Sequence, residues 1–281
     1  MNLRAFIEES VSCLSGIYPE KEARNIISVL LQGRLHLSSW QLVLKGDDEM
    51  APGDIACDVA RLLKGEPVQY VLGQAEFYGR TFRVSPAVLI PRPETELLVE
   101  KALGMLPSSP ARVLDLCTGS GAIAWSLALE RKEWSVDAVD ISEDALKVAE
   151  GQFGAESLCF RPHFIRGDVL DPGFLRSLGT YDMIVSNPPY IKESEKVFMR
   201  RNVLDYEPSL ALFVPDDDPL VFYRALAQSA EALLKDSGCA VVECNELLCP
   251  QTAAVFEREG LKDVKIEDDL AGKKRFVLFR R

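Results

Sequence analysis

DLCTGSGAIA, residues 115–124, carries two glycines at the step from a β-prone apolar run into a helical one. Val113 to Leu116 read as a strand, and AIAWSLALE (122–130) as a helix. Between them, Gly119 and Gly121 let the backbone turn tightly and let a ligand come close. A strand, a glycine turn and a helix in that order open a doubly wound α/β unit.

The alternation continues outward from this stretch. SVDAVD (135–140) reads as a strand, EDALKVAEGQF (143–153) as a helix, and FIRGDV (164–169) and YDMIVSN (181–187) as strands. Residues 219–235 read as a long helix, CAVVEC (239–244) as a strand, and PQTAAVFEREG (250–260) as a helix. Two closing strands, near 264–267 and 275–279, follow each other without a helix and are expected as an antiparallel hairpin at the sheet edge. The expected class is α/β: a mostly parallel sheet with helices on both faces.

Upstream the period is helical. Phe6, Val11 and Leu14, then Ala23, Ile26, Ile27, Leu30 and Leu31 after Pro19, fall at helix spacing. A short segment opens at Ser38-Ser39 and ends at Gly46, and another opens at Pro52-Gly53-Asp54. Residues 76–90, EFYGRTFRVSPAVLI, switch to a strand period around Gly79 and suggest a β-hairpin, and Pro93 then opens a further helix. The expected division is a helical bundle at 1–72, a hairpin connector at 73–92 and an α/β domain at 93–281.

Composition narrows the class. Hydrophobic residues make up 47% of 281, enough for a sizeable core without metal or disulfide staples. Net charge is −11, which opposes general binding to phosphate backbones. Lys273, Lys274, Arg275, Arg280 and Arg281 crowd one end and read as a solvated edge. The seven cysteines have no CxxC spacing, and with two histidines they offer no zinc pattern; they are expected to be reduced thiols of a cytoplasmic protein. The opening residues have no apolar signal core, and no apolar run reaches the length of a membrane span. A monomer is expected.

Three acidic strand ends define a ligand. Asp140 closes the second strand and can accept both hydroxyls of a ribose; Asp168 closes the third and can accept an adenine amino hydrogen. Gly119-x-Gly121-x-x-Ala124 also fits the dinucleotide fingerprint, a pattern that simple tight turns share. Asp115, however, lies where a pyrophosphate would sit and would repel it, whereas an amino-acid ammonium would suit it. S-adenosylmethionine fits these strand ends better than NAD.

The fourth strand runs into SNPPYI, residues 186–191. Two prolines fix two φ angles and hold the loop stiff. An amide or exocyclic amino nitrogen is a poor nucleophile because its lone pair is delocalised. The Asn187 side-chain oxygen and the Pro188 carbonyl can accept the two hydrogens of such an NH2 group, turning its lone pair towards a methyl donor. Tyr190 can pack on a planar substrate group. A proline-capped turn is the plain reading of Asn-Pro alone; its place after the fourth strand favours chemistry.

DLCTGSG, AVD, GDV and SNPPYI together resemble the Rossmann-type methyltransferases that modify planar nitrogens. LIPRPETELLVE (89–100), preceded by GEPVQYVLGQAEFYG (65–79), resembles the HemK/PrmC family, the peptide-chain release factor glutamine methyltransferases. The likeness runs over essentially the whole chain. It implies methyl transfer from S-adenosylmethionine to the side-chain amide of the glutamine in the release factors' Gly-Gly-Gln motif. It implies cofactor contacts at Cys117, Thr118, Gly119, Ser120, Gly121, Asp140, Asp168, Val169 and Asn187, and a substrate site at Asn187, Pro188, Pro189 and Tyr190. Glu207-Pro208 with Ala211-Leu212 resembles a further family segment.

Three stretches depart from the pattern. Cys117 stands where glycine is usual and would be strained at positive φ. Val214 to Asp218 replaces a glycine-containing loop, and ECNELLCPQ another. Two other readings stay open: an adenine methyltransferase of DNA or RNA, which would share NPPY, and a nucleotide-binding module without catalysis, which would need neither Asn187 nor Tyr190. The net charge speaks against the first.

Overall fold

The computed structural model describes residues 1–51, 53–106, 109–154 and 159–281. The chain divides into two units, Met1–Ala75 with Arg200–Tyr206, and Glu76–Met199 with Glu207–Arg281.

In the first unit, the segment Met1–Ala75 holds α1 (Leu3–Leu14), α2 (Glu20–Leu35), α3 (Ser39–Leu44), α4 (Gly53–Leu62) and α5 (Val68–Leu72). The start expected at Pro52 lies outside the described residues; α4 runs from Gly53. The apolar spacing of α2 works as expected: Ala23, Ile27, Leu30 and Leu31 are fully buried, against Phe6, Val11 and Leu14 of α1. Complete burial of each such leucine contributes roughly 1.5–3 kcal/mol. Arg34 ties the bundle by a two-pronged bond to the buried Asp58, at 2.6 and 3.1 Å, and donates to the Val71 carbonyl at 2.8 Å.

Strand β1 (Gln74–Phe77) pairs with β2 (Arg80–Arg83), shorter than the expected 76–90. Tyr78 and Gly79 between them both have positive φ, 50° and 67°, the two-residue turn that matches strand twist. Helix α6 (Pro93–Met105) follows, opened by proline in its first turn.

Then come β3 (Arg112–Leu116), α7 (Ala122–Glu130), β4 (Ser135–Asp140), α8 (Glu143–Glu150), β5 (His163–Arg166), α9 (Pro172–Ser177), β6 (Tyr181–Ser186) and β7 (Ile191–Lys192). The remainder is α10 (Arg201–Tyr206, in the first unit), β8 (Phe213–Val214), α11 (Val221–Leu233), β9 (Leu234–Glu243), α12 (Cys249–Arg258), β10 (Lys262–Asp268) and β11 (Lys274–Arg280).

Seven strands form one sheet in the order β10-β11-β9-β6-β3-β4-β5. β9, β6, β3, β4 and β5 are parallel; β11 is antiparallel to β9 and to β10, the edge hairpin expected from the sequence. The chain leaves β3 through β4 to β5 on one side, then returns to place β6 on the other side. That reversal makes β3 and β6 the switch point, beyond whose carboxyl ends open α/β sheets bind ligands.

Strand alternation feeds two cores. Val113, Met183, Val185 and Val241 pack with α6 and α7; Leu114, Leu116, Ile184 and Val242 pack with α9, α11 and α12.

Several expected boundaries move for visible reasons. α8 stops at Glu150, where Gly151 donates back to the last carbonyls. β5 stops at Arg166, after which the Gly167 N–H makes the last ladder bond, to the Asp140 carbonyl at 3.0 Å. β9 starts five residues early, at Leu234, and a register shift opposite Tyr181 to Met183 hides this from the alternation pattern.

Two further expectations fail. Cys244 and Cys249 form a disulfide, so the seven cysteines are not all reduced. The end of β9 and the start of α12 bring their Cα atoms to 5.8 Å, within bonding reach, although five residues of separation match no motif. The basic end is not simply solvated either: Arg275 is mostly covered and pairs with the buried Asp269 at 3.3 Å. Among the described residues, no helix is long and apolar enough to cross a membrane, and no cluster of ligating side chains could hold a metal.

Candidate active site

Beyond the carboxyl ends of β3, β4, β5 and β6 lies one cavity of the second unit. Cys117, Thr118, Gly119, Ser120, Asp140, Asp168, Val169, Asn187 and Pro189 line it, together with Arg92 and Thr95 from the start of α6.

The loop after β3 is built by its own hydrogen bonds. The Thr118 N–H donates to the Val139 carbonyl at 2.9 Å, and the Gly121 N–H to the Thr118 carbonyl at 2.9 Å. Gly119 and Gly121 take φ of 55° and 77°, which only glycine adopts without cost. A Cβ on Gly119 would meet open space. Gly121 differs: its Cβ would lie 2.9 Å from that of Ala149, so this glycine lets α7 and α8 approach, and it does not line the cavity.

Cys117 has φ of 62°, the positive value that the sequence flagged as strained for a non-glycine residue. Burial and the carboxylates of Asp140 and Asp115 push its thiol well above the ordinary range, so it remains neutral. Asp115 itself is fully buried and accepts the Thr118 hydroxyl at 2.6 Å. Burial pushes its carboxyl up to about 7. It sits behind Thr118 rather than on the cavity wall, so it is not placed to meet an ammonium directly.

Asp140 stands at the end of β4. Its Oδ2 accepts the Gly119 N–H at 2.8 Å and its Oδ1 the Ser142 N–H at 2.9 Å. Burial raises its pKa, and these backbone donors hold it down in part. Each oxygen keeps a lone pair for a hydroxyl. Asp168 accepts the Leu170 N–H at 2.8 Å and also lines the cavity.

This donor set fits an adenosine without phosphates. Asp140 and Asp168 supply acceptors for hydroxyls and an amino group, and the glycine loop leaves room beside them. The single cation on the described wall, Arg92, is paired with the buried Glu207 at 2.6 Å. A pyrophosphate would face two carboxylates and no free positive charge, so NAD fits poorly.

Asn187 follows β6 directly, next to β3 in the sheet. Its Nδ2 donates to the Thr95 hydroxyl at 3.2 Å, and that hydroxyl donates to the buried Glu243 at 2.8 Å. Tyr190 donates to the other Glu243 oxygen at 3.0 Å. Pro188 is buried, and neither Pro188 nor Tyr190 lines the cavity as Pro189 does. The Val214 to Asp218 stretch is well held: β8 pairs with β7, and Asp216 accepts the Ser194 N–H at 3.0 Å.

Four contributors went unread in the sequence. Arg92 and Thr95 lie inside the quoted PRPETE, yet nothing in that motif shows which side chains turn to the cavity. Glu243 ends a strand, the position that had singled out Asp140. Gln152 is nearly covered; its Nε2 donates to the Ser120 carbonyl at 2.8 Å and to the Arg83 carbonyl at 2.9 Å, stapling the glycine loop to the hairpin.

Known proteins resemble the chain along its length. Residues 93–204 match the family described as "Methyltransferase small domain", and residues 6–73 match "PrmC N-terminal domain". A protein of Bacteroides thetaiotaomicron named release factor glutamine methyltransferase is 39% identical over 282 residues, covering 99% of each chain. One of the same name from Enterococcus faecalis is 42% identical over 265 residues, covering 92% of each. Among solved structures, a methyltransferase from Pyrococcus furiosus superposes with a TM-score of 0.52 at 17% identity, covering 79% of this chain and 96% of that one, a likeness of fold. With those relatives matched end to end, the chain belongs to the release factor glutamine methyltransferases, enzymes that take S-adenosylmethionine as methyl donor.

Proposed function

We propose that the protein methylates the side-chain amide nitrogen of the glutamine in the Gly-Gly-Gln motif of peptide-chain release factors. The observation that carries this reading is the position of Asn187: it shares one wall with the glycine loop, Asp140 and Asp168, so an amide held there lies beside the bound donor.

The residues divide the work. Asp140 takes the ribose hydroxyls, Asp168 the adenine amino group, and Cys117 to Ser120 the space between; Gly121 shapes the loop from behind. The donor supplies an electrophilic methyl group. The Asn187 Oδ1 accepts one amide hydrogen and stabilises the positive charge that develops on nitrogen. Pro189 and Tyr190 keep the loop rigid around them. Once methylated, the nitrogen is acidic and loses a proton to solvent, so no tuned base is needed.

Residues 1–72 serve recognition of the release factor in this reading, 73–92 join, and 93–281 catalyse. The first 70 residues hold seven basic and ten acidic side chains, a surface better suited to protein than to a phosphate backbone. The enzyme acts as a monomer in the cytoplasm, where termination occurs. The test is a radiolabelled methyl-transfer assay with intact release factor, a Gly-Gly-Gln peptide, and adenine-containing DNA and RNA in parallel, with the modified residue located by mass spectrometry. Label on the motif glutamine supports the reading, and label on nucleic acid alone transfers it to the adenine alternative.

A further inference from the structure

The Asn187 side chain is useful only in one of its two orientations. With Oδ1 towards the cavity it accepts from the substrate; flipped, it presents an NH2 group to another NH2 group. Something must choose, and the hydrogen bonds around it do.

Glu243 lies at the end of β9, the strand next to β6, and is 1% exposed. As a carboxylate it can only accept. Thr95, 4% exposed in the first turn of α6, therefore spends its single hydroxyl proton on Glu243 Oε2 at 2.8 Å. The Thr95 oxygen then has only lone pairs to offer Asn187, 3.2 Å away. Asn187 must face it with Nδ2. The flipped amide would set two acceptor oxygens against each other. We propose that Thr95 and Glu243 are positioning residues that lock the Asn187 amide with its oxygen towards the substrate NH2 group. This rests on the reading of Asn187 as the acceptor given above.

The lock depends on the charge of Glu243. Burial raises its pKa; the Thr95 and Tyr190 hydroxyls and Arg275 on β11 oppose that shift, and Glu94 in the first turn of α6 adds to it. The Tyr223 hydroxyl donates to the Glu243 backbone carbonyl, at 2.9 Å, and Tyr223 also feels the Glu243 charge. Arg92, paired with Glu207, acts electrostatically on Tyr190, which donates to Glu243. Protonated Glu243 can donate to Thr95, which frees the threonine proton for Asn187 Oδ1 and permits the flip. Activity governed by the lock is therefore lost as pH falls through the raised pKa.

The experiment compares Thr95→Val, Thr95→Ser and Asn187→Ala in the full chain, with intact release factor as substrate. Expected for Thr95→Val is a kcat lower by about 10- to 50-fold, with KM and donor affinity within about twofold. Thr95→Ser, which keeps the hydroxyl, returns kcat to within about threefold of wild type. The acid limb of the kcat profile, present in wild type, is absent from Thr95→Val because its amide is already unlocked. Circular dichroism and donor titration check folding; if Thr95→Val misfolds, Thr95→Ala takes its place. A wild-type kcat in the valine variant, an equal loss in the serine variant, or an acid limb that survives without the hydroxyl overturns the lock. Full activity in Asn187→Ala instead overturns the acceptor reading beneath it, whereas an inactive Asn187→Ala beside an unaffected Thr95→Val sinks the lock alone.

Discussion

Asp140 Oδ2 accepts the backbone N–H of Gly119 at 2.8 Å, so the carboxylate proposed to hold the ribose also anchors the glycine loop of the neighbouring strand. One side chain thus sets both a contact and the shape of the space next to it. Asp140→Ala removes both and is expected to weaken S-adenosylmethionine binding about 10- to 100-fold, the scale of a lost charge-assisted bond. Isothermal titration measures it. Asp140→Asn keeps one oxygen and should lose less. Unchanged affinity in a folded alanine variant would remove the ribose assignment.

Gly121 makes a contrasting prediction. Its φ is 77°, and an added Cβ would meet Ala149 Cβ at 2.9 Å and Trp125 Cδ1 at 3.2 Å. Gly121→Val is therefore a packing lesion between α7 and α8. Strain at positive φ and the clash together should cost about 2–4 kcal/mol of stability. Urea denaturation reads this. Donor affinity of the fraction that remains folded should change less than in Asp140→Ala; the opposite ranking would place Gly121 at the ligand after all.

The contrast shows what spacing can and cannot reveal. The glycine loop, the acidic strand ends and SNPPY are local in sequence, so spacing alone is enough to expect them at the ends of neighbouring strands, where they line one cavity. That Gly121 faces a helix rather than the ligand depends on where α8 packs. That Asp115 hides behind Thr118 depends on which way one strand residue points. Thr95 and Glu243 are 148 residues apart and meet only because α6 packs on the face of β9. The disulfide likewise follows from how tightly the chain turns between β9 and α12, and its spacing carries no signature.

Asp115 gives the chain a pH dependence of known sign. Its folded pKa is raised to about 7 from an ordinary 3.8 by burial. Between those values the folded state holds a proton that the unfolded chain has released. Stability from this group is therefore full at acidic pH and falls as pH rises, by up to about 1.4 kcal/mol per pH unit, levelling off above the folded value. Asp115→Asn has no proton to lose. The stability of wild type relative to this variant should decline from pH 4 to 7 in denaturant titrations. A flat difference would mean that Asp115 is ionised in the folded protein.

The thiols can be counted. Five cysteines are free and two are joined. Alkylation in denaturant without reductant should add five adducts, and seven after reduction, by mass spectrometry. Seven adducts in both would show the pair reduced. Closing so short a loop contributes about 2 kcal/mol at most on chain-entropy grounds, so Cys249→Ser should lower stability modestly and leave the distant Asp140 contact intact.

The decisive residue is Asn187, because every other cavity contact would serve any adenosine-binding protein. If its oxygen accepts an amide hydrogen in the transition state, Asn187→Ala should lower kcat about 10²–10³-fold, the usual cost of one lost oxyanion-type partner. Donor affinity should fall by no more than about threefold, since Asp140, Asp168 and the glycine loop remain. Asn187→Asp should keep part of the activity: a carboxylate still accepts, and either of its oxygens will serve, but Thr95 would then have to give its proton either to it or to Glu243. Single-turnover methyl transfer to intact release factor separates chemistry from product release. Wild-type turnover in Asn187→Ala would leave the chain a donor-binding fold whose acceptor lies elsewhere. Loss of donor binding in step with turnover would make Asn187 a cofactor contact and nothing more.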